Sequence, residues 1–186
     1  MNKNHKKIYC LFFTLLAALA LTGCGGKGSK TLPDCPFSEL KWASCIKDME
    51  KTEGKEYDTY DSVYGGTTYT YDKEYQGVTG TVKYMFDDKK QLACIAWAYS
   101  SESTEELYQL YETIHQEVVS AHGESGYNTD KETNYGDVWY LDDGNIIIST
   151  MVTESQKALQ FAYLSPEQST AQEDKYNGSN TPDLIQ

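Results

Sequence analysis

The chain has 186 residues, and its 16 basic side chains, all lysine, stand against 28 acidic ones for a formal net charge of −12. A chain this acidic repels nucleic acid and anionic lipid headgroups. Without arginine it also lacks the bidentate clamp most used for phosphate and carboxylate.

The first predicted element is a secretion signal. Lys3, His5, Lys6 and Lys7 precede an uncharged apolar run from Ile8 to Leu21. A basic start, a short apolar stretch and small residues before a cut site mark such a signal. The run is about 14 residues long, short of the roughly 20 that span a bilayer. Leu21-Thr22-Gly23-Cys24 resembles the lipobox of bacterial lipoproteins. That resemblance implies that residues 1–23 are removed and that Cys24 becomes residue one. It also implies a covalent diacylglycerol and acyl lipid on Cys24, with no other cofactor. The protein would then be extracytoplasmic and anchored in the cell membrane, or in the outer membrane of a two-membrane bacterium. Two acyl chains suffice for stable anchoring. Residues 24–33 form the lipidated cysteine and a flexible tether, Gly25-Gly26-Lys27-Gly28-Ser29-Lys30. Loss of Lys3, Lys6 and Lys7 leaves the mature chain, about 163 residues, with a net charge of about −15, and that length suits one domain.

The folded domain is expected over residues 34–164. A first helix is predicted from Ser38 to Thr52, capped by Ser38 or Ser44, with Leu40, Ala43, Ile46 and Met49 or Glu50 at the spacing of a modest apolar stripe and Gly54 as its stop. Tyr57 to Tyr64 and Thr67 to Tyr71 are rich in strand-forming residues and flank a Gly65-Gly66 turn. Val78 to Phe86 and Leu92 to Tyr99 alternate as strands around Asp87-Asp88-Lys89-Lys90. The second helix follows Ser103-Thr104-Glu105-Glu106, read as a capping box in which Ser103 caps forward and Glu106 reaches back. Leu107, Leu110, Tyr111, Ile114, Val118 and Ala121 form its apolar face, and Gly123 ends it. Tyr127 to Thr133, Val138 to Leu141, Asn145 to Val152 and Ala158 to Leu164 read as four further strands, with Asp143-Gly144 as a hairpin turn. From Ser165 to Gln186 the chain is acidic and polar, and disorder is expected.

Helix, strands, helix, strands implies the α+β class: an antiparallel sheet of about six to eight strands with two helices on one face. The two halves read as a degenerate helix-plus-meander repeat without clear sequence identity. Trp42-Ala43-Ser44, Tyr84 to Asp88 with Leu92, Tyr108 to Gly123, Trp139 and Ile146 to Ile148 resemble, loosely, small bacterial lipoproteins with folds of the β-lactamase-inhibitor-protein type. That resemblance implies protein–protein contact through a concave sheet, an expectation of fold analogy alone.

Chemistry is harder to place. No Gly-x-Ser-x-Gly elbow, convincing Ser-x-x-Lys or Gly-rich phosphate loop is present. His115 and His122 stand seven apart on one helix, beyond the four-residue spacing of a shared metal. A Cys94–His115 dyad has no motif behind it. Asp137, Asp142 and Asp143 near Asn145 lack the order of a calcium loop, and a turn explains the last three better. Cys35, Cys45 and Cys94 allow one disulfide and a spare thiol, or three reduced thiols. No metal site is expected.

The 16 tyrosines stand out. With tryptophan they could line a sheet face that stacks on sugars or peptides, and the candidates are Tyr69, Tyr71, Tyr84, Trp97, Tyr99 and Trp139. The bland alternative is that tyrosine is a strand residue half-covering a small core. Three functions stay open at this point. The favoured one is a binding or interaction module of the cell envelope, meeting another envelope protein or a glycan. The others are a structural or stress-related envelope lipoprotein, and an envelope hydrolase.

Overall fold

The computed structural model describes residues 32–131 and 134–169. The predicted signal, Cys24 and most of the tail lie outside them. Helix α1 is Ile46–Glu53 and α2 is Thr104–His122. The strands are β1 (Asp58–Asp61), β2 (Gly65–Tyr75), β3 (Val78–Asp87), β4 (Leu92–Ser100), β5 (Tyr127–Lys131), β6 (Asn134–Trp139), β7 (Asn145–Val152) and β8 (Lys157–Leu164). They form one antiparallel sheet in the order β1-β2-β3-β4-β8-β7-β6-β5. Each half is therefore a helix followed by a four-strand meander, and the two meanders meet at their last strands, β4 against β8. A helical turn also begins at Pro166 and runs to residue 169.

Strand alternation divides the side chains between two faces. On the near face, Tyr69, Tyr84, Ile95, Tyr163, Ile146 and Trp139 stand side by side across six strands. Tyr71, Val82, Trp97, Phe161, Ile148 and Asp137 make the next row. Leu107, Leu110, Tyr111, Ile114 and Val118 of α2 and Met49 of α1 join the same apolar cluster. Phe37, Leu40 and Trp42 complete it from an irregular segment ahead of α1. Edge-to-face ring pairs such as Phe37–Phe161 and Tyr75–Trp97, with centroids 5.5 and 5.3 Å apart, fill this layer and add roughly 0.5–1.5 kcal/mol each beyond area burial.

The first helix is shorter than its predicted span. Ser38 and Ser44 serve turns instead of a helix end: the Leu40 amide donates to Ser38 Oγ at 3.2 Å and the Lys41 amide to Ser44 Oγ at 2.9 Å. Such local side-chain bonds compete with helix. The helix starts after Cys45, whose amide donates to Asp48 Oδ2 at 2.9 Å, and Ala43 of the predicted stripe is exposed. Ser103 caps α2 as expected, accepting from the Glu106 amide at 3.2 Å. Glu106 does not reach back to the Ser103 amide. Its carboxyl accepts from Ser101 Oγ at 2.6 Å and Tyr99 Oη at 2.8 Å, bonds that hold it below the usual carboxyl range. The Ser103 amide donates to Ser101 Oγ.

The end of the domain also lies later than residue 164. Ser165 and Ser169 are buried. Ser169 Oγ accepts from the Asn145 amide at 3.0 Å and lies 2.8 Å from the Ser165 carbonyl. The expected disorder thus fails for residues 165–169, because Pro166 opens a helical turn; the rest of that tail lies outside the described residues.

Gly80 marks a close approach within the sheet. A Cβ there would stand 2.5 Å from the Ala98 carbonyl oxygen and 2.5 Å from the Trp97 ring. Gly80→Ala should therefore cost roughly 1–3 kcal/mol, read as a lower midpoint in urea unfolding with an unchanged slope.

Candidate functional site

The six predicted ring residues do not form an exposed face. Tyr84 and Trp97 are 0 % exposed, Trp139 2 % and Tyr71 8 %, while Tyr69 and Tyr99 are half-buried. All six stand on the near face, in the layer covered by the helices and the segment ahead of α1. Four of their polar tips are satisfied inside the fold. Tyr84 Oη donates to Glu53 Oε1 at 2.5 Å, and Lys73 Nζ pairs with Glu53 Oε2 at 2.9 Å. Tyr71 Oη donates to the Gly54 carbonyl, Trp97 Nε1 to the Lys73 carbonyl and Trp139 Nε1 to the Gly123 carbonyl, at 2.8–3.0 Å. Burial pushes the Tyr71 hydroxyl up to about 12 and that of Tyr84 higher still. These rings are core with tethered polar ends. They share one face of the sheet, and it is the face that the helices cover.

The densest polar cluster of the near face is one the sequence did not announce. Asp137 on β6 is 0 % exposed. Its Oδ1 accepts from Ser125 Oγ at 2.6 Å and Asn128 Nδ2 at 2.8 Å. Tyr111 Oη donates to Oδ2, and His115 Nε2 lies 3.7 Å from the same oxygen. His115 also stacks on Tyr111, centroids 5.9 Å apart. The cluster ties α2 to the loop before β5, to β5 and to β6. It holds a hydroxyl, an imidazole and a carboxyl, but in the wrong order for nucleophilic catalysis. Ser125 bonds the carboxyl directly, so the imidazole is not placed to take its proton. The legible hint was Tyr111 and His115, four apart on the apolar side of α2, one helical turn from each other.

The other candidates separate. Cys94 belongs to the face opposite His115, so the two make no dyad. His122 is exposed at the end of α2. Asp142 and Asp143 belong to the β6–β7 turn, where Trp42 Nε1 donates to the Asp143 carbonyl at 2.7 Å. Among the described residues no group of three His, Cys, Asp or Glu side chains could hold a metal ion. Cys35, Cys45 and Cys94 are free thiols. Burial pushes Cys35 and Cys94 up to about 12, which leaves both protonated and poor nucleophiles at neutral pH.

The far face of the sheet is different in kind. Thr68, Met85, Cys94, Leu164 and Asn145 form one row. Lys83, Ala96, Ala162, Ile147, Val138 and Tyr127 form the next, and Ala98, Gln160, Ser149 and Gly136 a third. A second apolar cluster lies here: Cys94, Ala96, Val138, Ile147, Ala162 and Leu164, flanked by Met85, Tyr127 and Tyr64 of the β1–β2 turn. Neither helix contributes a side chain to it. Among the described residues, the buried side-chain polar atoms that find no hydrogen-bond partner are Thr68 Oγ1, Asn145 Nδ2 and Ser149 Oγ. All three belong to this face.

The chain matches no family model, no curated protein and no solved structure. The functional reading therefore rests on residues and geometry.

Proposed function

We propose that the protein is a lipid-anchored, extracytoplasmic interaction module of a bacterial cell envelope, and that it meets a partner protein through the far face of its sheet. One observation carries the interaction reading. That face combines an apolar cluster with three buried polar atoms left without partners. An unmet buried hydrogen bond costs about 1–3 kcal/mol, and a partner supplying amide and hydroxyl groups would recover it. Small residues at Ala96, Ala98, Ala162 and Gly136 let another backbone approach closely. Sugar recognition through tryptophan fits less well, because Trp42, Trp97 and Trp139 are all buried on the near side of the sheet. The anchoring part rests on the basic start, the apolar run and Leu21-Thr22-Gly23-Cys24.

Charge placed at the centre of the far face tests the reading. Ala98 and Gln160 are half-buried and directly opposite each other. With a partner captured from envelope fractions, Ala98→Lys with Gln160→Lys should weaken binding by at least tenfold. Glu112→Lys on the exposed side of α2 should change it by less than twofold. Equal effects from the two, in folded variants, would sink the assignment to the far face.

A further inference from the structure

We propose that the corner between α2 and the outer strands of the second meander binds a small organic ammonium ion. The inference is independent of the far face and of any protein partner.

Three observations carry it. First, the corner is built and partly open. α2 lies over β7 and β8, and Tyr108, Tyr111 and His115 reach from its flank to Tyr135, Asp137 and Trp139 on the near face of β6. β5 lies further out still, and its near-face Asn128 is exposed. Second, the walls are aromatic. Tyr108 meets Tyr135 edge-to-face with centroids 4.7 Å apart, and Tyr111 meets Tyr135 at 5.4 Å. Tyr108 and Tyr135 are half-buried, so part of each ring stays open to solvent. The face of a tyrosine ring is electron-rich and attracts a cation. Third, the charge around the rings is acidic. Asp137 is fully buried beside them, and Tyr111, Ser125 and Asn128 all donate to it. Glu112 stands one helical turn after Tyr108, so it shares that flank of α2, and it is exposed.

These observations select one class of ligand. None of the named groups is a lysine, and the chain as a whole carries a net charge of −12. Such a corner repels phosphates and carboxylates and concentrates cations. A metal ion is a poor fit, because among the described residues no three His, Cys, Asp or Glu side chains could ligate one. An alkylated ammonium group needs no such ligand set, since ring faces and a nearby acid suffice to hold it.

The test uses choline as the probe and saturation-transfer NMR on the full chain in a maltoside detergent, with sodium chloride holding the ionic strength constant. Choline should bind saturably. Tyr135→Leu and Tyr108→Leu should each weaken it by at least fivefold. Tyr60→Leu, at an exposed tyrosine of β1, should change it by less than twofold. The uncharged isostere of choline, with a tert-butyl group in place of trimethylammonium, should bind at least fivefold more weakly. Thermal melting establishes that each variant folds; if neither corner tyrosine variant does, Glu112→Gln carries the test and should weaken choline by at least twofold. Absence of saturable binding, equal binding of the isostere or an equal loss in Tyr60→Leu overturns the proposal. No protein partner enters the assay, so its failure leaves the far-face reading standing, and a far face that captures nothing leaves the corner standing.

Discussion

Asp137→Ala should lower stability by roughly 2–4 kcal/mol, a fall in melting temperature on the order of 10 °C for a domain of this size. Asp137 is fully buried and is the shared acceptor of the cluster. Its removal takes an acceptor from three donors at once. Asn128 is exposed and Ser125 half-buried, so both can turn to water. Tyr111 is 3 % exposed, and its hydroxyl loses this acceptor inside the core. The cost should concentrate there, and Tyr111→Phe in the Asp137→Ala background should restore part of it. Asp137→Asn keeps one acceptor oxygen and should cost less than Asp137→Ala. Thermal melting of the four chains reads all of this. A loss below about 0.5 kcal/mol for Asp137→Ala would mean that the cluster does not hold α2 to the second meander. Loss of partner binding with stability intact would instead make it a functional centre.

Cys24→Ala should abolish lipid labelling and release the protein from the membrane. The expectation follows from the proposed reading of Leu21-Thr22-Gly23-Cys24 as a lipobox, a motif whose cysteine thiol accepts the lipid in bacterial lipoproteins. Each buried CH₂ contributes about 0.8 kcal/mol, so two acyl chains hold a protein stably and none leaves it free. Metabolic labelling with a palmitate analogue, followed by detergent phase separation, measures both effects. The wild type should partition with the detergent and Cys24→Ala with the aqueous phase. Retention of the variant in the detergent phase without label would point to the Ile8–Leu21 run as an uncleaved anchor.

Much of the architecture was legible because local signals and tertiary placement agreed. Ser103 before an apolar three-four repeat marked α2, and alternation marked β3 and β4. The repeat of helix and meander was readable from element order, although the halves share little sequence. The failures have physical causes. The turn Gln76-Gly77 places Gln76 at a φ of 52° and Gly77 at 74°, a conformation that asparagine or aspartate usually announces. The strand ahead of it therefore read as ending at Tyr71 and runs to Tyr75. Leu40 and Ala43 lie on irregular backbone ahead of α1, and their spacing to Ile46 and Met49 imitated a longer helix. The aromatic face failed for a different reason. Period-two patterning groups Tyr84, Trp97 and Trp139 on one side but does not tell which side the helices cover, and the bulkier side chains took the covered one. The far face went unnoticed because alanine, serine and threonine carry no sequence signal of burial. Their unpaired polar atoms become visible only once the strands are in register.

The far face as the interaction surface is tested most directly by photocrosslinking from named positions. A photoreactive residue at Met85 or Gln160, both half-buried on that face, is compared with one at Gln109 or Glu112, exposed on α2. Cells expressing each chain are irradiated, and crosslinked products are identified by mass spectrometry. The prediction is one shared product from Met85 and Gln160 that is absent from Gln109 and Glu112. The same product from α2, or from neither face, would contradict it.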